Sequence, residues 1–246
     1  MLAILYVGHG TRLRKGVEEA TKFLQQTMPL IDVDIQEIAF LELVEPNIVD
    51  GVARCVERGA TSILVVPILL LTAQHAKEDI PLELAKAQEK FPQLKMNVAK
   101  PFGVHPLLIE TVYERVTEQQ VEIKEDAELL LIGRGSSDPA VEQAMQAISE
   151  QLQQQYSFAK VRACFLYGKG LSFEQALEQL QQANSQQVFI VPYLLFSGLL
   201  SVGIEKQVKA SAFDERRIHL CHSLGYNDKV REVLRQRIEE AMKEGA

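Results

Sequence analysis

The sequence repeats itself at a constant offset of 125 residues. Three separated segments share this offset: residues 8–11 (GHGT) with 133–136 (GRGS), 40–41 (FL) with 165–166 (FL), and 65–67 (VVP) with 190–192 (IVP). One offset that holds over separate segments indicates an internal duplication rather than a chance similarity of apolar stretches. We therefore expect two similar domains, residues 1–120 and 127–246, each large enough to form its own core.

Short apolar segments alternate with amphipathic segments in both halves. Residues 2–7 form an apolar run that ends at Gly8, which is typical of a buried parallel strand. Further strands are expected near residues 33–40, 62–67, 96–99, 128–132, 160–165, 187–192 and 217–220, with helices that include 15–28, 47–58, one opened by Pro81, and 105–119. This alternation predicts an α/β fold in which each domain is a mostly parallel sheet flanked by helices. The charged segment 121–126 is expected to connect the domains.

Composition narrows the function classes. The chain has 246 residues and a formal net charge of −7, so a nucleic-acid partner is not expected, because nucleic-acid binders usually carry a basic field. The longest apolar run, residues 63–71, is interrupted by Pro67 and is too short to span a bilayer. The first residues lack the basic segment of a signal peptide, and three dispersed cysteines without a CxxC pattern indicate buried thiols. We therefore expect a cytoplasmic protein without a membrane partner.

Three potential metal ligands follow three successive strands of the first half: His9, Glu42 and His75. The carboxyl ends of parallel strands meet at one edge of a sheet, so these side chains are expected to converge. Two imidazoles and a carboxylate suit a divalent first-row metal and leave coordination positions open. At the corresponding positions the second half carries Arg134, Tyr167 and Leu200. One metal site, in the first half, is therefore predicted.

Several residues near this edge allow two interpretations. Glu45 is expected either to stabilise the amino end of the next helix or to contact a substrate. Asp79 is expected either to accept a hydrogen bond from His75 and fix its tautomer, or to cap the helix that Pro81 opens. Arg134 lies on the glycine-flanked turn of the second half, where it would bind carboxylates in a bidentate manner if the two sheet edges face each other.

The remaining cations and histidines lack a distinctive pattern. Four cations near the first-half edge either bind an anionic ligand or are solvated: Arg12, Arg14, Lys15 and Lys77. Three histidines have no matching partners and are expected to be structural or on the surface: His105, His219 and His222. The segment Gly8-His9-Gly10 resembles half of a dinucleotide-binding loop, but Leu13 occupies the position of the third glycine, so no nucleotide cofactor is expected.

Together, these motifs resemble those of the class II tetrapyrrole chelatases. The first half carries LYVGHGTR at residues 5–12, FLEL at 40–43 followed by EP at 45–46, and VPILL at 66–70 followed by His75 and DIP at 79–81. The second half carries LIGRGSSDP at 131–139 and FIVPYLLF at 189–196. The resemblance covers nearly the whole chain and is strongest to the long, two-domain bacterial type that inserts iron into sirohydrochlorin. The cobalt chelatases of the cobalamin pathway are similar as well.

The resemblance implies a reaction in which a divalent metal enters a ring of four pyrrole-type nitrogens and two protons leave. It implies that His9, Glu42 and His75 hold the metal beside the ring, that His9 accepts a proton, and that Glu42 completes the metal environment or relays protons. It also implies a loop that lines the ring face: Leu70, Leu71, Thr72, Ala73 and Gln74. The expected partners are sirohydrochlorin and Fe²⁺ or Co²⁺ as the metal substrate, without an organic cofactor.

Other functions stay open on the sequence alone. The chain has neither a histidine-rich tail nor a cysteine motif for an iron–sulfur cluster, which favours iron over cobalt. A non-catalytic metal- or tetrapyrrole-binding protein, such as a solute-binding protein or sensor, would have the same two-domain architecture. A metal-dependent hydrolase would need a second metal cluster or a nucleophile motif, and neither is found in the sequence. Because the duplication supplies two lobes within one chain, a monomer is expected.

Overall fold

The computed structural model describes residues 1–72, 75–183, 185–211, 217–225 and 227–245, without the side chain of His75. Eight strands lie within this part of the chain: β1 (Leu2–Gly8), β2 (Ile35–Phe40), β3 (Ser62–Pro67), β4 (Lys95–Val98), β5 (Glu128–Gly133), β6 (Lys160–Phe165), β7 (Val188–Pro192) and β8 (Ile218–Leu220). They form two four-stranded parallel sheets of the same topology, with strand orders β2-β1-β3-β4 and β6-β5-β7-β8. The predicted duplicated α/β fold is confirmed.

The first strand of each repeat is central in its sheet and buried on both faces. Along β1, Ala3, Leu5 and Val7 belong to the core that also includes residues of the flanking helices, while Ile4 and Tyr6 are buried on the opposite face. This two-sided burial explains why the strand is a continuous apolar run rather than an alternating pattern.

The helices follow the predicted order: α1 (Arg14–Thr27), α2 (Ile48–Glu57), α3 (Ile80–Lys90), α4 (Pro106–Thr117), α5 (Pro139–Gln155), α6 (Phe173–Gln182), α7 (Leu199–Ala210) and α8 (Asp228–Glu244). Two residues related by the 125-residue offset, Asn47 and Ser172, cap α2 and α6. The side chain of Asn47 accepts a hydrogen bond from the amide of Asp50, and that of Ser172 accepts one from the amide of Gln175. Among the helices in the described ranges, none is long and apolar enough to cross a membrane.

A π-helical turn, His75–Asp79, precedes α3. Pro81 lies in the first turn of α3, as predicted, where its missing N–H leaves no intrahelical hydrogen bond unmade. Asp79 occupies the N-cap position in a helical backbone conformation and makes no side-chain capping hydrogen bond to α3. The capping interpretation of Asp79 is therefore wrong, because a π-helical turn, rather than an extended residue, leads into the helix.

The chain divides into two compact units that do not follow the sequence repeats. Unit 1 comprises residues 1–103 and 231–246, and unit 2 comprises residues 104–230. This division differs from the boundaries 1–120 and 127–246 that the repeats suggest, because each repeat places its last helix in the other repeat's unit. The segment 121–126 links the repeats in sequence, but it lies within unit 2 and is not a linker between the units.

Specific contacts attach the exchanged helices to their units. In unit 1, the guanidinium of Arg237 on α8 donates two hydrogen bonds, of 3.1 and 2.6 Å, to the carbonyl of Phe102. In unit 2, α4 packs against α5 and β7, and the ring of Tyr113 stacks on that of Tyr156 with centroids 3.8 Å apart. The connecting segment is held in unit 2 by Gln187, whose side chain bonds backbone groups at both Glu122 and Lys124.

Candidate metal centre

The carboxyl edge of the first sheet continues beyond the strands as a backbone ladder. The amide of Leu41 donates to the carbonyl of Gly8 at 2.8 Å, and the amide of Glu42 donates to the carbonyl of His9 at 3.1 Å. His9 follows the inner strand β1, and Glu42 follows the adjacent strand β2. The residues thereby become cross-strand neighbours, as the parallel topology predicts.

The side chains of His9 and Glu42 meet at this edge. The Nδ1 atom of His9 lies 3.3 Å from Oε1 of Glu42, and the two side chains are 27% and 49% exposed. The two side chains are thus partly exposed, whereas the Nδ1 atom itself is buried.

Gly10 makes this approach of the two loops possible. Its φ is +92°, a conformation that favours glycine, and a Cβ at this position would lie 1.9 Å from the carbonyl oxygen of Glu42. The same arrangement recurs in unit 2, where a Cβ on Gly135 would lie 1.9 Å from the carbonyl oxygen of Tyr167. The glycine is therefore required by the shared loop geometry rather than by metal binding alone.

The distance between the paired atoms fits two ligands of one metal ion. Bonds of about 2.1 Å from a first-row metal to nitrogen and oxygen place the two ligand atoms roughly 3.0 Å apart at an octahedral angle and roughly 3.4 Å apart at a tetrahedral angle. The observed separation of Nδ1 of His9 from Oε1 of Glu42, 3.3 Å, lies between these values. A metal can thus enter without a large rearrangement of either side chain.

The third predicted ligand, His75, begins the π-helical turn that follows β3. In the sheet, β3 lies next to β1 on the side opposite β2. The segment that begins at His75 therefore follows a neighbour of the strand that precedes His9. The side chain of His75 is outside the described part of the chain. Within the described residues, no group of three or more His, Cys, Asp or Glu could hold a metal ion, so the three-residue site stays a prediction.

The predicted ring-lining loop is described as far as Thr72. The carbonyl of Leu70 accepts the amide of Gly103 at 2.8 Å, and its neighbour Leu71 is half-buried. Thr72 is exposed. The two remaining predicted residues of this loop, Ala73 and Gln74, lie outside the described residues.

Glu45 has a local structural role beside the site. Its Oε2 accepts the backbone amide of Asn47 at 2.9 Å, one residue before α2 begins. This contact supports the interpretation that Glu45 stabilises the amino end of the helix. The contact with substrate stays a prediction.

Two of the cations after β1 form pairs along α1 itself. Arg14 lies 2.7 Å from Glu18, and Lys15 lies 3.9 Å from Glu19, which is the spacing of solvated i,i+4 ion pairs. Arg12 is exposed on the loop before the helix. Among these cations, Arg12 has the position best suited to an anionic ligand.

The histidines outside the site have structural surroundings, as expected. Nδ1 of His105 accepts the amide of Leu107 at 3.2 Å and caps α4. The ring of His219 stacks on Phe189 with centroids 5.0 Å apart. Burial, and then the nearby cation of Lys124, lower the pKa of His219 below its usual range. His222 is exposed.

The corresponding edge of unit 2 has a different chemistry. Arg134 is exposed after β5, and Tyr167 after β6 is 62% exposed. Two apolar side chains in the first turns of α7 are also exposed, Leu199 at 59% and Val202 at 42%. Leu200, the counterpart of His75, lies between them on the helix. This edge offers an exposed cation and exposed apolar surface, and the positions of the metal pair are taken by Arg134 and Tyr167.

One residue at the first edge was not identified from the sequence. Leu43, directly after Glu42, has a φ of +67° and is 55% exposed. At the offset of 125 residues its counterpart is Gly168, and this substitution of glycine by leucine was the available sequence signal.

Comparison with known proteins places this geometry in a family. The sequence profile of CbiX matches two segments, residues 3–119 and 128–241, which together cover nearly all of the chain. The chain belongs to the CbiX family. The predicted resemblance to class II chelatases is thereby confirmed, and each of the two repeats is a CbiX segment.

Curated CbiX relatives differ in the metal that their names specify. The chain is 39% identical to a sirohydrochlorin ferrochelatase of Priestia megaterium over 97% of this chain and 90% of that protein. It is 30% identical to a sirohydrochlorin cobaltochelatase of the same organism over 98% of this chain and 80% of that protein.

Solved structures of SirB from Bacillus subtilis share the whole fold. The structure with Fe³⁺ superposes with a TM-score of 0.90 at 39% identity and covers 98% of this chain and 95% of SirB. A structure of SirB from the subspecies spizizenii in complex with cobalt superposes with a TM-score of 0.85 at 38% identity, over 98% and 94% of the two chains.

Proposed function

We propose that this protein is a sirohydrochlorin ferrochelatase, which inserts Fe²⁺ into sirohydrochlorin with release of two protons. The observation that carries the proposal is the pair His9–Glu42, whose ligand atoms lie 3.3 Å apart at the carboxyl edge of the first sheet. Near-full-length similarity to a protein named as a sirohydrochlorin ferrochelatase supports the same reaction.

Each ligand has a defined task in this proposal. His9, Glu42 and His75 take the metal from water and hold it, and a geometry with open positions lets the ring nitrogens replace the remaining waters. The ring loses two N–H protons as the metal enters, so the products are the metallated ring and two protons. A neutral imidazole accepts a proton near neutral pH, so His9 is the proposed acceptor of one of these protons once the metal has passed to the ring and its ligand nitrogen is free again.

The substrate is a flat apolar ring with carboxylates at its periphery, so it needs apolar contacts and cations. We propose that Leu70, Leu71, Thr72, Ala73 and Gln74 line the ring, together with Glu45. We propose that Arg134, an exposed cation, binds a carboxylate of the ring. The net charge of −7 makes local cations important for an acidic substrate.

We further infer a monomeric, cytoplasmic enzyme. The duplication supplies two lobes within one chain, which favours a monomer. Three free cysteines, Cys55, Cys164 and Cys221, are buried, and burial raises the pKa of each thiol to about 12. Unreactive free thiols are typical of a reducing compartment.

A cobalt chelatase is the second candidate. It is favoured by the similarity to the cobaltochelatase of Priestia megaterium and by the cobalt complex of SirB. Imidazole and carboxylate ligands accept either ion, so the ligand set does not select between iron and cobalt.

A turnover assay tests the proposal. The purified protein is mixed with an excess of sirohydrochlorin and with Fe²⁺, Co²⁺ or both, and the absorption spectrum is followed under anaerobic conditions. A chelatase converts many equivalents of substrate faster than the spontaneous reaction, whereas a binding protein changes the spectrum only up to one equivalent. The ratio of rates in the competition identifies the preferred metal.

Variants of the proposed ligands provide the matched test of the site. His9→Ala and His75→Ala should each reduce the rate, corrected for spontaneous insertion, at least about 100-fold, since each removes a group needed in the transition state. His219→Phe is the control, because it removes a histidine that stacks on Phe189 in unit 2 and keeps an aromatic ring there. Full activity of both His9→Ala and His75→Ala would contradict the metal assignment.

A further inference from the structure

Leu43 has an unfavourable backbone conformation beside the metal pair. Its φ of +67° lies in the left-handed region, which is less stable than the right-handed region for a residue with a Cβ. Leucine lacks the short polar side chain that lets asparagine or aspartate form compensating local hydrogen bonds there. A leucine in this conformation needs a reason other than local preference.

The internal repeat shows which residue this turn accepts without strain. The counterpart of Leu43 in unit 2 is Gly168, with a φ of +82°. A Cβ on Gly168 would lie 2.4 Å from the carbonyl oxygen of Ser136, so the turn of unit 2 has no room for a side chain. The turn of unit 1 differs in that it accommodates a leucine.

Packing against the part of the chain that the structure describes does not account for the leucine. Leu41, two residues earlier, packs against the core of unit 1, whereas the side chain of Leu43 is 55% exposed. Between them, Glu42 is half-exposed and contacts His9. An apolar side chain is therefore held in water, in a strained conformation, next to the proposed metal ligands.

We propose that Leu43 is a substrate-contact residue that packs against the apolar face of the tetrapyrrole beside the metal. This inference rests on the proposed function, because it assumes a flat apolar substrate at this edge. Contact with the ring removes the exposed part of the leucine from water, which offsets the strain only in the complex. The leucine thereby adds affinity for the ring without adding a ligand to the metal.

Two substitutions separate contact from strain. Leu43→Ala removes the contact and keeps a Cβ in the left-handed conformation, whereas Leu43→Gly removes both the contact and the strain. Leu30→Ala is the matched control, since Leu30 is 56% exposed and ends a 3₁₀ turn, Met28–Leu30, before β2 begins, at the opposite end of that strand. Four quantities are measured for each variant: KM for sirohydrochlorin, kcat, the Kd for Co²⁺ alone, and the urea midpoint of unfolding.

Leu43→Ala and Leu43→Gly should each raise the KM for sirohydrochlorin about tenfold, while the Kd for Co²⁺ and the kcat stay within about twofold of wild type. The midpoint of Leu43→Gly should be at least as high as that of Leu43→Ala, and Leu30→Ala should leave all four quantities unchanged. An unchanged KM in both Leu43 variants overturns the proposal. A loss of Co²⁺ affinity as large as the rise in KM also overturns it, since it means that Leu43 acts through Glu42. A wild-type protein that binds sirohydrochlorin without turnover refutes the proposed function instead, and direct titration of the ring with the same variants still tests the contact.

Discussion

Replacing Gly10 by alanine tests whether the contact between the loops after β1 and β2 determines the positions of His9 and Glu42. A Cβ at position 10 would lie 1.9 Å from the carbonyl oxygen of Glu42, and real Cβ contacts are not shorter than 3.0 Å. The carbonyl must therefore move by about 1 Å, which carries Glu42 away from His9. A misplacement of this size costs an active site about 100-fold in rate.

Comparison with Gly59 separates the loss of stability in Gly10→Ala into backbone strain and overpacking. Gly59 has nearly the same backbone as Gly10, with a φ of +94°, but a Cβ there would meet nothing within 4 Å. Gly59→Ala therefore costs only the conformational strain, about 1 kcal/mol after the smaller entropy of the unfolded chain is subtracted. Gly10→Ala adds the strain of overpacking, about 1–3 kcal/mol more.

Gly135 provides the control for function. A Cβ there would lie 1.9 Å from the carbonyl oxygen of Tyr167, so Gly135→Ala creates the same clash in unit 2, where Arg134 and Tyr167 take the positions of the metal pair. Urea unfolding should rank Gly10→Ala and Gly135→Ala together below Gly59→Ala, and only Gly10→Ala should weaken Co²⁺ binding. If Gly10→Ala retained wild-type Co²⁺ affinity and chelation rate, the loop contact would not set the geometry of the pair.

Two further predictions concern the second unit. Arg134→Ala should raise the KM for sirohydrochlorin more than it lowers kcat and should reduce the salt sensitivity of KM, because an exposed cation binds substrate and transition state equally. Lys160→Ala, at the amino end of β6, is the control. An unchanged KM at low salt would assign Arg134 a structural role. Burial and Lys124 lower the pKa of His219, so the unfolded chain binds a proton more readily than the folded chain, and stability should fall as the pH drops below about 6.5. His219→Phe should therefore lose less stability than wild type between pH 7.5 and 5.5 in urea unfolding, and equal losses would show that His219 does not contribute.

The sequence predicted what parallel strand topology determines. His9 and Glu42 lie far apart in the chain, yet the rule that strand ends share an edge predicted their contact correctly. Pro81 likewise marked the start of a helix correctly, because a proline loses no hydrogen bond there.

Other features depended on packing that a sequence does not encode locally. The apolar face of α4 shows that the helix is buried, but not which sheet it covers, so its assignment to unit 2 was not predicted. The left-handed conformation of Leu43 was also missed, because leucine rarely adopts it and only the comparison with Gly168 indicates it. Asp79 was equally ambiguous, since an acidic residue before a helix usually caps it.

The placement of α8 in unit 1 affects the order in which the protein can fold during synthesis. Unit 1 needs residues 231–246, but residues 104–230 of unit 2 are made before them. At about 5–20 residues per second, roughly 6–25 s separate the two parts of unit 1 on the ribosome. During this interval the carbonyl of Phe102 lacks the two hydrogen bonds from Arg237, and Lys100 lacks its ion pair with Glu244.

Unit 2 is therefore expected to complete its fold first, although it comes second in the sequence. A stop codon after residue 230 would leave all of unit 2 in place and would deprive unit 1 of its last helix. A cut near Glu125, between the repeats, would divide unit 2 and separate unit 1 from α8 at once. Nascent chains and carboxyl-terminal truncations would consequently show their defect in the amino-terminal half, at the sheet that carries His9 and Glu42.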